Sequence, residues 1–265
     1  MPTGRRLDHA PTQESPADGD STSPATIRIG ISGWRYEPWR GVFYPRGLAQ
    51  HRELEFASRA LSSIEINGSF YSLQRPEYYA EWYGHTPPGF VFSVKASRYL
   101  THIKRLATVA EGTKLLYERI EPLADSPKMG PMLWQLPGNF KRDDERLAGA
   151  LKALPKGRHC FEFRHPSWFC EDVYKLLRKH RVALVIGDTP ERPFQTHELT
   201  AKWTFVRFHY GHRGRGGNYS KTELEEWAAR IREWREKVEV FAYFNNDWKA
   251  YAVRNALALK RLVGD

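Results

Sequence analysis

Short runs of β-branched and aromatic residues alternate along this chain with longer segments in which apolar residues recur every three or four positions. Runs of the first kind are typical of buried strands, and segments of the second kind are typical of amphipathic helices. Eight runs predict strands, at residues 27–32, 63–67, 90–95, 131–136, 159–164, 182–187, 204–209 and 238–244. The alternation predicts consecutive βα units joined into a parallel sheet.

Seven segments have helical spacing, at residues 48–60, 76–83, 109–123, 143–154, 168–180, 221–237 and 248–262. The stretch ERPFQTHELTAKW, between the sixth and seventh strands, is too short and too polar for a full helix, so we expect a shortened unit there. Eight units over about 250 residues fit a single (β/α)8 barrel of the TIM type. A doubly wound open sheet is the alternative, but the first strand runs into GISGWRYEPW, which lacks the G-x-G-x-x-G spacing.

The amino-terminal segment differs in composition from the rest of the chain. Residues 1–26 are rich in Pro, Ser, Asp and Thr, so we expect a disordered tail before a barrel domain at residues 27–265. No run reaches the roughly 18 apolar residues of a membrane helix, and the tail has no apolar stretch after its arginines. Two cysteines, Cys160 and Cys170, cannot build a disulfide framework. We therefore expect a cytoplasmic protein with no membrane partner.

The chain is strongly basic. Its formal net charge is +10, from 41 Lys and Arg against 31 Asp and Glu. A surplus of this size favours anionic partners, either a phosphorylated small molecule or a nucleic acid. A generally basic composition that serves solubility alone is the alternative explanation. The sequence leaves the oligomeric state open.

Charged and amide side chains occupy alternate positions at the carboxyl ends of five predicted strands. Residues two apart in a strand share a face, and in a barrel one of the two faces is the interior. A buried unpaired charge costs several kcal/mol, so we expect these groups either to neutralise one another or to meet a ligand. The pairs that share a face are Glu65 with Asn67, Ser93 with Lys95, Glu162 with Arg164, Arg207 with His209, and Tyr243 with Asn245.

Two loops add basic residues near the same face. The loop KASRYLTHIKRL, after the third strand, contains His102. The loop HYGHRGRGGNYSKTE, after the seventh strand, carries Arg213 and Arg215 among glycines and ends in a capping box of Ser220 and Glu223. Its backbone amides and the following helix start are suited to cradle a phosphate. A flexible lid or a plain linker is the alternative.

A divalent metal is a further candidate for this face, because carboxylates and imidazoles are common metal ligands. None of the candidates forms a tight motif such as H-x-x-x-H, and Asp188, in the stretch GDTP, is equally suited to a turn. The sequence therefore leaves the cofactor open. The candidate ligands are Glu65, His102, Glu162, Asp188 and His209.

The chain resembles the YecE-like family, also known as domain of unknown function 72. The matching stretches are SGWRYEPWRGVFYP, IEINGSFY, FSVKASRYLTH, LWQLPGNF, FEFRHPSW, GDTP, FVRFHYG and YFNNDWKAYAVRNA, which cover nearly the whole chain from Ile27. The resemblance implies a TIM-type barrel but no activity. The family's motif residues correspond here to Trp34, Glu65, Asn67, Tyr71, Lys95, His102, Gln135, Glu162, Arg164, Asp188, Arg207, His209, Asn245 and Asp247.

Three functions are compatible with such a face. The first is a hydrolase, phosphoesterase or nuclease-like, with Glu65 or Glu162 as general base and His209 or His102 as general acid. The second is a sugar isomerase or glycoside hydrolase, in which carboxylates about 5 Å apart would indicate retaining chemistry. The third is a non-catalytic protein that binds an anion or RNA. The candidate catalytic residues are Glu65, Glu162, His209, His102 and Asp188; the candidate substrate-binding residues are Trp34, Asn67, Tyr71, Lys95, Gln135, Arg164, Arg207, Arg213, Arg215, Asn245 and Asp247.

Overall fold

Eight parallel strands close into a barrel in the computed structural model, which describes residues 25–189, 191 and 196–264. The strands pair in chain order, and the last strand closes against the first. This closed order confirms the predicted TIM-type barrel and excludes the open doubly wound sheet. The strands span Ile27–Ser32 (β1), Ser63–Ile66 (β2), Val91–Lys95 (β3), Met129–Gln135 (β4), His159–Glu162 (β5), Ala183–Asp188 (β6), Trp203–Phe208 (β7) and Glu239–Phe244 (β8).

In the described residues, helices lie between successive strands everywhere except between β6 and β7. The predicted helix at 109–123 is divided into two, because Pro122 begins a new helix and has no N–H to continue the previous one. Between β6 and β7, the described residues 189, 191 and 196–202 contain no helix, as the shortened unit predicts. The helices span Glu53–Ala60 (α1), Gly68–Tyr71 (α2), Pro76–Gly84 (α3), Val109–Arg119 (α4), Glu121–Ala124 (α5), Asp144–Ala153 (α6), Glu171–Lys179 (α7), Lys221–Arg235 (α8) and Tyr251–Val263 (α9).

Strand side chains alternate between two apolar layers. One layer lies between strands and helices and includes Ile64, Val94, Phe161 and Phe208, as the alternation predicts. The other fills the amino-terminal part of the barrel interior and ends where the polar positions begin. Its members are Val91, Leu133, Cys160, Ala183, Val185, Trp203, Phe205, Phe241 and Tyr243.

The two described residues that precede β1 are bonded to the barrel. Ala25 donates its N–H to the carbonyl of Arg235 at 3.2 Å, and Val240 donates to the carbonyl of Thr26 at 3.0 Å. The last two residues of the predicted tail are therefore bonded to the barrel, and the rest of that tail lies outside the described residues. Within the part of the chain that the structure describes, no helix is long and apolar enough to cross a membrane.

Candidate functional site

Arg207 lies at the centre of a buried ion cluster in the carboxyl-terminal mouth of the barrel. Its Nη2 donates to Oε1 of Glu65 and its Nη1 to Oε2 of Glu162, both at 2.6 Å. All three side chains are fully buried, at the ends of β7, β2 and β5. Charges buried this deeply persist because each has a close partner of opposite sign. The predicted neutralisation of the inward charges therefore accounts for these three groups.

Glu162 accepts further hydrogen bonds from two neighbours of the cluster. Arg164 donates Nε and Nη2 to Oε1 at 3.2 Å, and Nε2 of His209 lies 3.1 Å from the same oxygen. Burial alone would raise the pKa of Glu162, but the charges of Arg207 and Arg164 and the hydrogen bond from His209 hold it well below its ordinary value. Glu162 is therefore an ionised anchor, and this geometry does not favour it as the predicted general base.

Both ring nitrogens of His209 are engaged. Nε2 bonds Glu162, and Nδ1 accepts a hydrogen bond from Nδ2 of Asn245 at 3.1 Å. Burial lowers the pKa of His209, so the imidazole is neutral at pH 7. A neutral ring with both nitrogens in use has no free proton for a substrate, which does not favour the predicted role of general acid.

Two neutral side chains complete the cluster. Oε1 of Gln135 accepts a hydrogen bond from Nη1 of Arg207 at 3.3 Å, and Oγ of Ser32 donates to Oε1 of Glu65 at 2.9 Å. Sequence reasoning missed Ser32, although its position at the inward end of β1 was a usable signal. Within the described residues, Oε2 of Glu65 and Nε of Arg207 have no hydrogen-bond partner.

Lys95, at the end of β3, borders the cluster without bonding to it. Its Nζ lies 4.2 Å from the centre of the Phe70 ring, and the described residues offer it neither a hydrogen bond nor an ion pair. Only 9% of the residue is exposed. Burial and the charge of Arg207 lower the pKa of Lys95 to about 8, against the attraction of Glu65 and Glu162. The mouth therefore contains a cation that these residues leave unpaired.

Asp247, after β8, borders the cluster as well. Among the residues described, its buried Oδ1 has no hydrogen-bond partner. Burial raises the pKa of Asp247 to about 7, while the Tyr36 hydroxyl and Arg207 oppose the rise. A carboxyl with this pKa both gives and takes up a proton near neutral pH. Asp247, predicted to bind substrate, thus has the properties of a general acid or base.

His102 and Tyr71 lie on the rim, where both contact Phe70. The His102 ring packs edge-on against Phe70 with centroids 5.1 Å apart, and its Nδ1 lies 2.9 Å from the Thr101 hydroxyl. Burial and the charge of Lys95 lower the pKa of His102. Tyr71 packs against the same ring and is 74% exposed. Both residues therefore hold the Phe70 ring in place, and this ring lies beneath the Lys95 ammonium.

Trp34 and Asn67 line a cavity of ≈ 290 Å³ between the segments that follow β1 and β2. The Trp34 and Trp82 rings pack edge to face, with centroids 5.0 Å apart. Oδ1 of Asn67 is buried and has no hydrogen-bond partner in the part of the chain described. The cavity therefore combines aromatic walls with an unsatisfied amide. Its principal lining residues are Trp34, Tyr36, Ile66, Asn67, Gln74 and Trp82.

Asp188 belongs to a second polar group, near the loop after β7. Its Oδ1 lies 3.2 Å from Nε2 of His212, and its Oδ2 accepts a hydrogen bond from the Tyr219 hydroxyl at 2.9 Å. Tyr219 was not predicted, because nothing in the sequence links it to β6. These bonds hold the loop against the end of β6.

The loop after β7 binds a carboxylate of its own. Glu223 accepts hydrogen bonds from three backbone amides, at 2.7, 3.1 and 2.8 Å, those of His212, Arg213 and Ser220. A helix start stabilises any nearby anion, so the chain's own carboxylate occupies the amides predicted to cradle a phosphate. Arg213 pairs with Glu226 and Arg215 is exposed. Neither arginine joins the cluster.

The predicted metal ligands do not come together. Among the described residues, no group of three or more His, Cys, Asp and Glu side chains is placed to share an ion. Glu65 and Glu162 are instead bridged by Arg207, and Asp188 bonds His212. Glycoside hydrolysis needs two carboxyl groups that both face the sugar. Glu65 and Glu162 instead both face Arg207, which lies between them.

A closed barrel with a charged mouth at the carboxyl ends of its strands defines a TIM-barrel protein, a class in which this end of the barrel holds the active site. The chain belongs to the DUF72 family: the family model described as "Protein of unknown function DUF72" matches residues 28–265.

Relatives support the same assignment. UPF0759 protein YunF of Bacillus subtilis is 24% identical over 273 residues, covering 89% of this chain and 94% of YunF. UPF0759 protein YecE of Escherichia coli K12 is 29% identical over 147 residues, covering 55% of this chain and 51% of YecE. A crystal structure of a DUF72 family protein from Thermotoga maritima is 29% identical, with a TM-score of 0.82, and covers 91% of this chain and 100% of that one.

Proposed function

We propose that the mouth of the barrel binds a phosphate-bearing ligand and hydrolyses its phosphoester bond. The observation that carries this proposal is the ammonium of Lys95, buried beside the cluster with no partner among the described residues. Arg164 adds a guanidinium whose side chain is 39% exposed. While Asp247 is protonated, the charges of Lys95, Arg164 and Arg207 exceed those of Glu65 and Glu162 by one, so an anion completes the balance.

Asp247 supplies the acid–base group in this proposal. In phosphoester hydrolysis a water oxygen bonds to phosphorus and releases one proton to the solvent, while the ester P–O bond breaks and the leaving oxygen takes a proton from an acid. A carboxyl with a pKa of about 7 can donate that proton at neutral pH. Lys95 and Arg164 stabilise negative charge on the phosphoryl oxygens, because both are fixed before the ligand arrives.

A panel of phosphomonoesters and phosphodiesters, assayed with and without Mg²⁺, Mn²⁺ or Zn²⁺, tests the proposal. We expect turnover by the wild type, with Lys95→Met and Asp247→Asn each reducing kcat/KM at least tenfold. The control is Lys221→Met, which removes a lysine that is 87% exposed on α8. If the wild type turns over no member of the panel, or if Lys221→Met is as damaging as Lys95→Met, the hydrolase proposal fails.

Binding without turnover would favour the third predicted function, a protein that captures an anion or RNA. The number of phosphates contacted distinguishes the ligands. Affinity for a polyanion falls steeply as salt concentration rises, because binding releases condensed counterions. A single phosphate group gives a shallow dependence, so a salt titration separates a small phosphorylated ligand from a nucleic acid.

A further inference from the structure

The cavity lined by Trp34 and Asn67 takes no part in the charge balance of the cluster, yet it is built for a ligand. Trp34 and Trp82 are 7% and 9% exposed, so their packed rings form a fixed wall. The cavity volume, ≈ 290 Å³, is close to the lower end of ligand pockets, and suits one ring rather than a large molecule. The buried Oδ1 of Asn67 has no partner within the described residues, and a ligand donor would satisfy it.

The lining favours a nucleobase over a sugar ring. A nucleobase has a flat π-face that packs on aromatic side chains, and a few donors and acceptors along its edge. Side-chain amides pair with such an edge, and two of them, Asn67 and Gln74, line the cavity. A monosaccharide can also pack a C–H face against an aromatic ring, but its rim carries a hydroxyl group on most carbons. The apolar Ile66 and Trp82 would leave part of that rim without a hydrogen-bond partner.

Helix α2 joins this cavity to the Lys95 ammonium. Gly68, at its start, lines the cavity, while Phe70, two residues later, lies under the Lys95 Nζ at 4.2 Å. Ser69, between them, donates its hydroxyl to the Lys95 carbonyl at 2.6 Å and so fixes α2 against the end of β3. Ile66 of β2 pairs with Val94 of β3, so the next residues, Asn67 and Lys95, follow neighbouring strands whose backbones lie about 5 Å apart. One ligand with a ring and a phosphate can therefore reach both places.

We propose that this cavity is a nucleobase subsite, and that the phosphate-bearing ligand of the barrel mouth is a nucleotide or a nucleotide unit of a nucleic acid. The base lies against Trp34 with its edge toward Asn67 and Gln74, and the phosphate lies toward Lys95 and Arg164. The identity of the whole ligand rests on the proposed function, whereas the base subsite can be tested without any phosphate.

Calorimetric titration with partial ligands tests the two subsites separately. The probes are the four common ribonucleosides, which have a base and no phosphate; ribose 5-phosphate, which has a phosphate and no base; and the nucleoside 5′-monophosphates. We expect at least one nucleoside to bind the wild type, and its monophosphate to bind at least tenfold more tightly. Methyl glucoside serves as the sugar probe, and we expect it not to bind.

Gly68→Leu is the decisive variant, because it fills the cavity with a side chain. A Cβ at Gly68 would meet only the end of the Gln74 side chain, at 3.7 Å, so the fold accommodates the change. The matched control is Gly84→Leu at the end of α3, where a Cβ meets nothing within 4 Å. We expect Gly68→Leu to weaken nucleoside binding at least tenfold while ribose 5-phosphate binding and the unfolding midpoint match those of Gly84→Leu.

The outcomes separate this inference from the proposed function. If no nucleoside binds the wild type, if Gly68→Leu binds nucleosides normally, or if methyl glucoside takes their place, the base subsite is refuted. If nucleosides bind as expected but ribose 5-phosphate does not, and Lys95→Met changes no affinity, the base subsite stands and the phosphate site fails. A phosphorylated pentanucleotide that binds more tightly than the monophosphate, with a steep salt dependence, identifies a nucleic acid as the source of the nucleotide.

Discussion

Removal of the Arg207 guanidinium should lower the free energy of unfolding, because two buried carboxylates lose their shared partner. In Arg207→Met, Glu162 keeps its bonds to Arg164 and His209, but Glu65 keeps only the Ser32 hydroxyl among the bonds described. Breaking a buried ion pair by removing one partner costs about 3–5 kcal/mol, because it leaves an uncompensated charge in the interior. We expect the free energy of unfolding at pH 7.5 to fall by about this amount.

The deficit of Arg207→Met should also shrink as the pH falls. In the wild type, the lowered folded-state pKa of Glu162 contributes stability above the unfolded pKa, and this contribution is lost as the pH falls through the folded pKa. In the variant, the interior holds one uncompensated negative charge, and uptake of a proton that neutralises this charge becomes more favourable as the pH falls. The variant therefore gains stability relative to the wild type between pH 7.5 and pH 5.

Urea unfolding followed by circular dichroism at pH 7.5 and pH 5 measures both effects. The control is Arg59→Met, which breaks an exposed ion pair to Glu55 and should cost less than about 1 kcal/mol. Adding Glu65→Gln to Arg207→Met should recover part of the loss, since it removes the uncompensated charge. A cost of Arg207→Met below about 1 kcal/mol, or a deficit that is equal at the two pH values, would refute the reasoning.

Three other predictions follow from single contacts. Trp168 is fully buried and donates Nε1 to the Phe140 carbonyl at 2.7 Å, so Trp168→Ala should cost about 3–5 kcal/mol in urea unfolding. Ser220→Ala removes the cap that accepts the Glu223 amide and should cost about 1 kcal/mol in the same assay. Folding raises the pKa of Asp247 from 3.8 to about 7, so the free energy of unfolding of the wild type declines as the pH rises between these two values. Asp247→Asn should therefore be more stable than the wild type at pH 8 and have no advantage at pH 4.

The strand order and the facing of the strand side chains could be predicted because both follow from short-range periodicity. A period of two assigns Glu65, Glu162 and Arg207 to the interior as firmly as it assigns Ile64 and Phe161 to the helix layer. The apolar part of the interior ends one side-chain layer below these charges. Polar residues replace Val and Leu at the inward positions of the strand ends. This pattern predicts a polar barrel mouth even when the contacts between the side chains are unknown.

Pairing within the mouth could not be predicted, because it depends on the relative heights of strands that are far apart in the chain. The sequence left open whether Arg207 binds an anion or pairs with other inward charges, and the structure pairs it with Glu65 and Glu162. The glycine-rich loop was also predicted to bind a phosphate. In the structure its amides donate to Glu223, a residue of the capping box that the sequence already showed. A capping carboxylate competes with any outside anion for those amides, and that competition was the overlooked signal.

Stability alone does not explain why a barrel would retain this cluster. Buried ion pairs of this kind are often replaced by apolar side chains with no loss of stability, since burial of the charges costs about as much as their attraction returns. The cluster does, however, fix the charges beside Lys95 and Asp247, two groups whose pKa values are shifted toward neutrality mainly by burial. Perturbed titration of groups at the carboxyl-terminal face of a TIM barrel is a common property of active sites. Under the proposed function, the paired residues act as a rigid electrostatic support, and Lys95 and Asp247 at their edge carry out the chemistry.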